Sequence, residues 1–513
     1  MKTSGALLAG AALVAALLFL SGSKEADPQT PPGLPGKPPP FLGVAVLGDG
    51  GLTAAVDSYG NVVDLRPGPT GRALIENPAE RQAAGTTPAD TGIQVWSRVG
   101  GEMRPMWRAD AVEQSYVPGT NVLRTVARFG RKRVEIEMAA TGETLALAMG
   151  GDVELDVRVN GDVECRQERD QIVSMLCSRR QPSGDVSAGA RIEIARAMGL
   201  DRRWLRRARP LGPSAPAWAR RMYERSLLVL HALTDRGTGA VAAGARDGWA
   251  YVWPRDASAA AIAYAAAGYE SEAELSTQFL LGLGLEHAAR FHGDGSPVPG
   301  REAQGDAIGW VAAASQAAGL IGSARHATQI LAGGGSVPWR DRADYWEGEP
   351  GDYLGNALAS GESAIDHLYG GQSQSRLLRE PDDPESGLDS AAAWAVRPFS
   401  QPRLHSAART TMRSLVAQGT RFGITPGEGW PGGEDPWSAP TAWTAWSLAA
   451  LGERREALEL MEALRRSATP AGDFPERVDA GTGIPRSTTP LAWSHAFAIV
   501  ALQELWPTRT AST

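Results

Sequence analysis

Apolar and polar residues alternate along the first part of the chain, from about residue 41 to 200. Val44–Leu47, Leu52–Val56 and Asn61–Leu65 are short runs separated by Gly-Asp-Gly-Gly and Ser-Tyr-Gly-Asn, which are turn chemistry. Val122–Phe129, Arg133–Met138 and Val153–Val159 keep a period of two. Many short strands with frequent turns predict an antiparallel β-sandwich. The period changes near residue 200. Trp204–Arg209 reads as a short helix and Pro210–Pro216 as a loop. Beyond Ala217, apolar residues recur near i, i+3 and i+4 in Arg220–Leu233, Ala257–Ala267, Glu270–Leu283, Ala307–Ile321, Asn356–Leu368, Leu404–Ala417, Ala439–Leu451, Arg454–Arg466 and Leu491–Leu505. About ten to twelve helices fit the remaining length. Long Gly/Pro/Trp-rich loops between them suggest a helical toroid. Periodicity does not separate that from an open helical array.

The domain plan is therefore a β-sandwich over 41–200, a linking helix and loop over 201–216, an all-helical domain over 217–507 and a tail over 508–513. Residues 1–21 carry one early Lys and then an apolar run, the pattern of a secretory signal or signal-anchor. Residues 22–40 are Pro-rich and form a stiff spacer. The folded part is expected outside the cytoplasm, secreted or held at the membrane by its N-terminus. The two cysteines, Cys165 and Cys177, form one disulfide in such a compartment or remain as two buried thiols. A formal net charge of -7 gives no basic footprint for nucleic acid and favours a neutral partner.

Tryptophan brings in chemistry. Of 16 Trp, only Trp96 and Trp107 precede residue 200. Trp249, Trp253, Trp339, Trp346, Trp430 and Trp437 fall in predicted loops, where an indole face can meet the C–H face of a sugar ring. Trp443, Trp446 and Trp506 are expected to pack between helices. Two glutamates lie in these aromatic settings, Glu347 in Asp344-Tyr345-Trp346-Glu347 and Glu476 in Phe474-Pro475-Glu476-Arg477. Glycosidic hydrolysis needs such a pair, one carboxyl to protonate the leaving oxygen and one to activate water or attack carbon.

Tyr251-Val252-Trp253-Pro254-Arg255-Asp256-Ala257, preceded by Arg225–Leu233 and Thr238–Gly244, resembles the opening of the catalytic domain in glycoside hydrolase family 15, the glucoamylase/glucodextranase family of bacterial type. The resemblance continues in order through Gln304-Gly305-Asp306, Asp344–Glu347, Gly432–Trp437, Phe474-Pro475-Glu476 and Pro490–Ala496. Gly48–Gly60 is similar to the start of the β-domain that precedes it in bacteria. The resemblance implies an α+β multidomain chain, an N-terminal antiparallel β-sandwich followed by an (α/α)6 barrel. It implies an exo-acting, inverting enzyme that releases glucose from non-reducing ends of α-glucans or α-gluco-oligosaccharides. Glu347 takes the general-acid position, kept protonated by partial burial, and Glu476 the general-base position, kept ionised by Arg477 or nearby polar groups. Trp249, Trp253, Arg255, Asp256, Asp306, Trp346 and Trp437 are the implied substrate-binding residues. The other reading of Arg255-Asp256 is an ion pair capping the following helix, and Asp306 too is a candidate cap. Trp493 and His495 are expected behind the base loop.

The chain departs from the family pattern at three places. Trp249 stands where a water-placing Tyr is usual, Trp346-Glu347-Gly348-Glu349 replaces Trp-Glu-Glu, and the helical region is short. These departures keep open a glucan-binding or sensory protein with weak or no turnover on the same scaffold. A phosphorolytic enzyme is a further rival. No cofactor and no metal ligand set is expected. Asp382-Asp383-Pro384-Glu385 and Glu434-Asp435 are candidates for a structural calcium ion, or solvated turns. Linkage preference and oligomeric state are not legible.

Overall fold

The computed structural model describes residues 44–76, 92–169, 173–178, 186–320, 322 and 339–508. The expected leader, the Pro-rich spacer and the tail from residue 509 lie outside them. The first part folds as two antiparallel sheets. One runs β1(Ala45–Gly48), β2(Leu52–Val56), β3(Val62–Pro67), β5(Gly92–Val99), β11(Glu154–Asn160), with β4(Ile75–Glu76) on β3 and β6(Glu102–Pro105) on β5. The other runs β12(Glu164–Arg169), β13(Val173–Ser178), β10(Thr144–Gly151), β9(Lys132–Thr141), β8(Leu123–Phe129), β7(Ala111–Tyr116). Alternation fixes the register, since one face of each strand must bury its apolar set. In β8 the burial alternates residue by residue, with Leu123, Thr125, Ala127 and Phe129 inward. Both sheets contribute to one apolar core, Leu47, Leu65 and Val95 from the first meeting Ile136, Leu147 and Met175 from the second. Cys165 and Cys177 face each other across β12 and β13 and are joined as a disulfide.

The sequence reading placed strands up to residue 200 and a short helix at Trp204–Arg209. The structure instead has one long helix, α1(Val186–Leu205), against the outer face of the second sheet. Ala190, Ile194 and Ala197 bury at helical spacing, but two are small, Ile192 is exposed, and Gly189 and Gly199 interrupt the run. So weak an apolar stripe hides a helix that tertiary packing stabilises.

The helical part comprises α2(Ala217–Leu233), α3(Pro254–Ala266), α4(Glu270–Leu281), α5(Ala307–Ala317), α6(Leu354–Ser360), α7(Glu362–Tyr369), the 3-10 segment Ser390–Ala395, α8(His405–Gln418), α9(Ser438–Ala450), α10(Arg454–Ser467) and α11(Ala492–Leu505). The expected helix Asn356–Leu368 is broken at Gly361, whose φ of 93° is costly for any residue with a Cβ. Among the described residues, α3, α5, α6, Ser390–Ala395, α9 and α11 each pack on the next, and α11 returns to α3, closing a ring. The composition sorts inner from outer elements. In α11 nearly every side chain is buried, whereas α10 buries Ala457, Leu460, Met461 and Leu464 at i, i+3, i+4 and i+7 and turns Arg and Glu outward. α2, α4, α7, α8 and α10 back the ring.

Inside the ring Trp310, Trp394 and Trp443 are fully buried and meet edge to face, with centroids 5.1 and 5.4 Å apart along the series. Trp443 Nε1 donates to the Ser390 carbonyl at 3.0 Å. Trp446 and Trp506 are buried too, as expected. Trp443→Ala should lower unfolding free energy by about 3–5 kcal/mol, measured by denaturant titration, because the surrounding helices close the cavity only partly.

Candidate active site

The N-terminal ends of the inner helices and the loops that enter them surround one cleft of about 910 Å³. Its walls include Trp249, Trp253, Tyr345, Trp346, Trp430, Trp437 and Trp493, and the sheets contribute Arg66 and Glu76 at one side. Glu347 and Glu476, 129 positions apart in sequence, both line it.

Glu347 ends a tight turn built on Asp344. The buried Asp344 carboxylate accepts two hydrogen bonds from Arg379, each 3.0 Å, and one from the Trp346 N–H at 3.0 Å. The Glu347 N–H donates to the Asp344 carbonyl at 2.9 Å. Arg379 also lies 4.2 Å from the Trp346 ring centroid, so charge and aromatic packing hold the same turn. Glu347 itself has φ 57°, a left-handed conformation that costs about 1–2 kcal/mol for a residue with a Cβ and that the turn enforces. Trp253 Nε1 donates to its Oε1 at 3.1 Å, Gln304 Nε2 approaches the same oxygen at 3.4 Å, and Arg301 forms an ion pair with Oε2. The Glu347 side chain is 29% exposed and faces the Arg301 guanidinium.

Glu476 is held differently. Its N–H donates to the Thr488 carbonyl at 2.9 Å and its carbonyl accepts from Ser438 N–H at 3.0 Å, so its backbone bridges two strands of loop. Ser487 Oγ donates to Oε2 and Trp249 Nε1 approaches Oε1 at 3.4 Å. Burial pushes the Glu476 pKa up, against the pull of these two donors and of the Arg477 and Arg301 charges. Arg477 and the polar neighbours thus oppose the shift, as expected of them, without cancelling it.

Of the other anticipated residues, Trp249, Trp253, Arg255, Asp256, Trp346 and Trp437 line the cleft. Asp306 does not. It sits behind Arg255, its Oδ2 accepting from Arg255 Nη1 at 2.9 Å, and its side chain caps no helix. Arg255 therefore pairs with Asp306 rather than with its neighbour Asp256, and also donates to Gln304 Oε1 at 2.9 Å. Asp256 lies in the first turn of α3, where the helix dipole favours a carboxylate, yet burial raises its pKa to about 7. Trp493 joins the wall with its ring 4.6 Å from the Arg255 guanidinium, and His495 supports the base loop by accepting the Phe474 N–H at 3.0 Å.

Several residues around the site were not anticipated: Arg301, Gln304 and Ser487, which touch the glutamates, and Arg379, Asp473 and Arg225, which anchor their loops. One signal was available, since Asp344 and Asp473 each stand three residues before a glutamate. In the acidic clusters considered for calcium, two side chains accept backbone hydrogen bonds. Asp383 accepts from Glu385 N–H at 2.9 Å and Asp435 from Ala480 N–H at 3.1 Å. Among the described residues, no group of three or more His, Cys, Asp or Glu side chains converges as an ion would require.

The structure is similar to that of a bacterial glucoamylase complexed with acarbose, with a TM-score of 0.64 and 13% identity over 94% of each chain. At that identity the likeness is one of fold. The wild-type form of a protein described as a glycosidase matches 56% of this chain and 97% of its own at 19% identity, with a TM-score of 0.47. Glucoamylase from Saccharomycopsis fibuligera matches 58% and 96% at 13% identity, again with a TM-score of 0.47. No protein-family model matches the chain. No curated protein matches it.

Asp256 gives a test of the electrostatics. Its carboxyl holds a proton more tightly in the folded protein, at about 7, than in the unfolded chain, at about 3.9. The folded state binds the extra proton between those values, so this group's contribution to stability falls as pH rises from about 4 to about 7 and is level above that. Asp256→Asn abolishes the titration. The stability of the variant relative to wild type should therefore increase across that window and then plateau, as read from unfolding curves at several pH values.

Proposed function

We propose that this chain is a glycoside hydrolase, an exo-acting, inverting α-glucoside hydrolase of the glycoside hydrolase family 15 type, with the ring of inner helices read as an (α/α)6 barrel behind a β-sandwich. The observation that carries the reading is the convergence of Glu347 and Glu476, from separate loops, on one tryptophan-walled cleft. In this reading Glu347 gives a proton to the glycosidic oxygen as its bond to the anomeric carbon breaks. Glu476 takes a proton from the water that attacks the opposite face, so the configuration inverts. A general base works best with a pKa near the working pH, and burial moves Glu476 in that direction. Arg255, fixed by Asp306 and Gln304, and Asp256 offer directed hydrogen bonds to the hydroxyls of the terminal sugar. Trp249 supplies an indole N–H to Glu476 where relatives of this type carry a phenol, so the carboxylate rather than a separate hydroxyl orients the water.

Export fits this reading. The apolar run within residues 1–20 and the disulfide Cys165–Cys177 both suit a secreted or membrane-anchored protein facing outside the cytoplasm. The pairing of Arg301 with Glu347 favours a second reading, a glucan-binding protein with little turnover, because the guanidinium occupies an oxygen of the carboxyl that must reach the glycosidic oxygen.

Sugar release from maltose, isomaltose, trehalose and dextran, followed by NMR of the anomeric protons, separates the readings. Hydrolysis with β-glucose as first product is expected, and Glu347→Gln and Glu476→Gln should each lower kcat by at least about 10²–10⁴-fold with binding retained. Binding without turnover by the wild type on every linkage would leave the second reading standing. The base should also be visible in the pH profile. The acid limb of kcat/KM reports Glu476, so it should lie above the ordinary glutamate range. Ser487→Ala, by removing a donor to the carboxylate, should move it higher still.

A further inference from the structure

We propose that the N-terminal β unit is a working part of the site: Tyr116 on β7, acting through Asp473 and Arg225, sets the position of Glu476. The inference rests on the reading of Glu476 as the base. Asp473 is completely buried and stands three residues before Glu476, with only Phe474 and Pro475 between them. Its Oδ2 lies 2.9 Å from the Tyr116 hydroxyl, a contact across 357 positions of sequence. That hydroxyl is placed by the first sheet, being 3.0 Å from the Val46 carbonyl and accepting the Val46 N–H at 2.9 Å. Asp473 Oδ1 faces Arg225 Nε at 3.4 Å. The Arg225 guanidinium stacks 3.7 Å from the Tyr116 ring centroid, donates to the Thr120 carbonyl at 3.1 Å and reaches Asn121 Oδ1. Asn121 Nδ2 in turn donates to Gly48 and Leu228 carbonyls at 2.9 and 3.0 Å.

A buried charge pair of this kind adds little net stability compared with apolar packing, but it fixes relative position, because each partner is strongly disfavoured without the other. Pro475 limits the backbone freedom of the short link, and Ser438 Oγ binds its carbonyl. A shift of Asp473 therefore reaches Glu476 almost undamped, and a displacement near 1 Å is enough to lower turnover about 10²-fold. Tyr116 and Arg225 are not among the residues that line the cleft, so they are positioning residues.

Tyr116→Phe is the informative variant, because it keeps the ring under Arg225 and removes only the hydroxyl. In the full chain it should lower kcat about tenfold while KM stays within about twofold, and hydrogen exchange at the amides of 473–478 should quicken about tenfold. Asp473→Asn should show the same split. Val134→Ala, a cavity in the sheet core that removes none of these hydrogen bonds, should lower the melting temperature without that split. Wild-type kcat and wild-type exchange in Tyr116→Phe would overturn the proposal, as would an equal loss of kcat in Val134→Ala. If the wild type hydrolyses nothing, the glycosidase reading fails, and exchange at 473–478 alone decides: quickened in Tyr116→Phe supports the strut, unchanged overturns it.

Discussion

Glu347 and Glu476 line one cleft from loops outside the named helices and strands, and a buried ion pair anchors each loop. Each glutamate is preceded by an aspartate that is fully withdrawn from solvent and bound by an arginine, Asp344 by Arg379 and Asp473 by Arg225. Burial raises the pKa of both aspartates while their arginines pull it down. Charges so placed are poor sources of net stability, since desolvation consumes most of their attraction. Their effect is on geometry. A buried carboxylate has few acceptable positions once its partner is fixed, and the chain two or three residues further on inherits that restriction.

Arg225 stands on α2, which backs the helical ring, and Arg379 on a loop. The inner helices of the ring point their N-termini at the cleft, so that Trp253, Trp437 and Leu491 enter the ring as their chains turn helical. Tyr345 links the acid loop to the ring core. Its hydroxyl binds Asp389 at 2.6 Å and its ring meets those of Trp394 and Trp443 at 5.2 and 5.4 Å. The strained backbone at Glu347 is tolerable because Asp344 and Tyr345 over-determine the turn just before it. The Glu476 loop has its own buried aromatic, Phe474, stacked with His495 at 4.4 Å, and it also contacts the β unit through Asp473.

Most of the architecture was legible because it rests on periodicity. Strands buried on one face and helices such as α10 announce themselves, and the inner helices are apolar enough to be seen without a stripe. The helix α1 was missed because its buried stripe is sparse, two alanines with Ile194 in a run interrupted by glycine, and the break at Gly361 because one glycine in a helical run is usually tolerated. In the site, the glutamates and tryptophans were legible from their local context. Arg225, Arg379 and Tyr116 were not, because each acts on a residue far away in sequence, and a lone arginine in a helix reads as surface. Asp306 was read as a substrate residue from its neighbours, and in the structure its Oδ2 accepts from Arg255.

Arg301 shows why local context is insufficient for assigning acid and base. An inverting pair needs its acid protonated and its base ionised when substrate is bound. Arg301 forms an ion pair with Glu347, and burial raises the pKa of Glu476. The Arg301 charge acts on Glu476 as well, favouring its ionised form. Its own pKa is lowered by burial and by Arg290 and raised by Glu476. Arg301 thus ties the two loops electrostatically, by an ion pair at one glutamate and by its charge at the other.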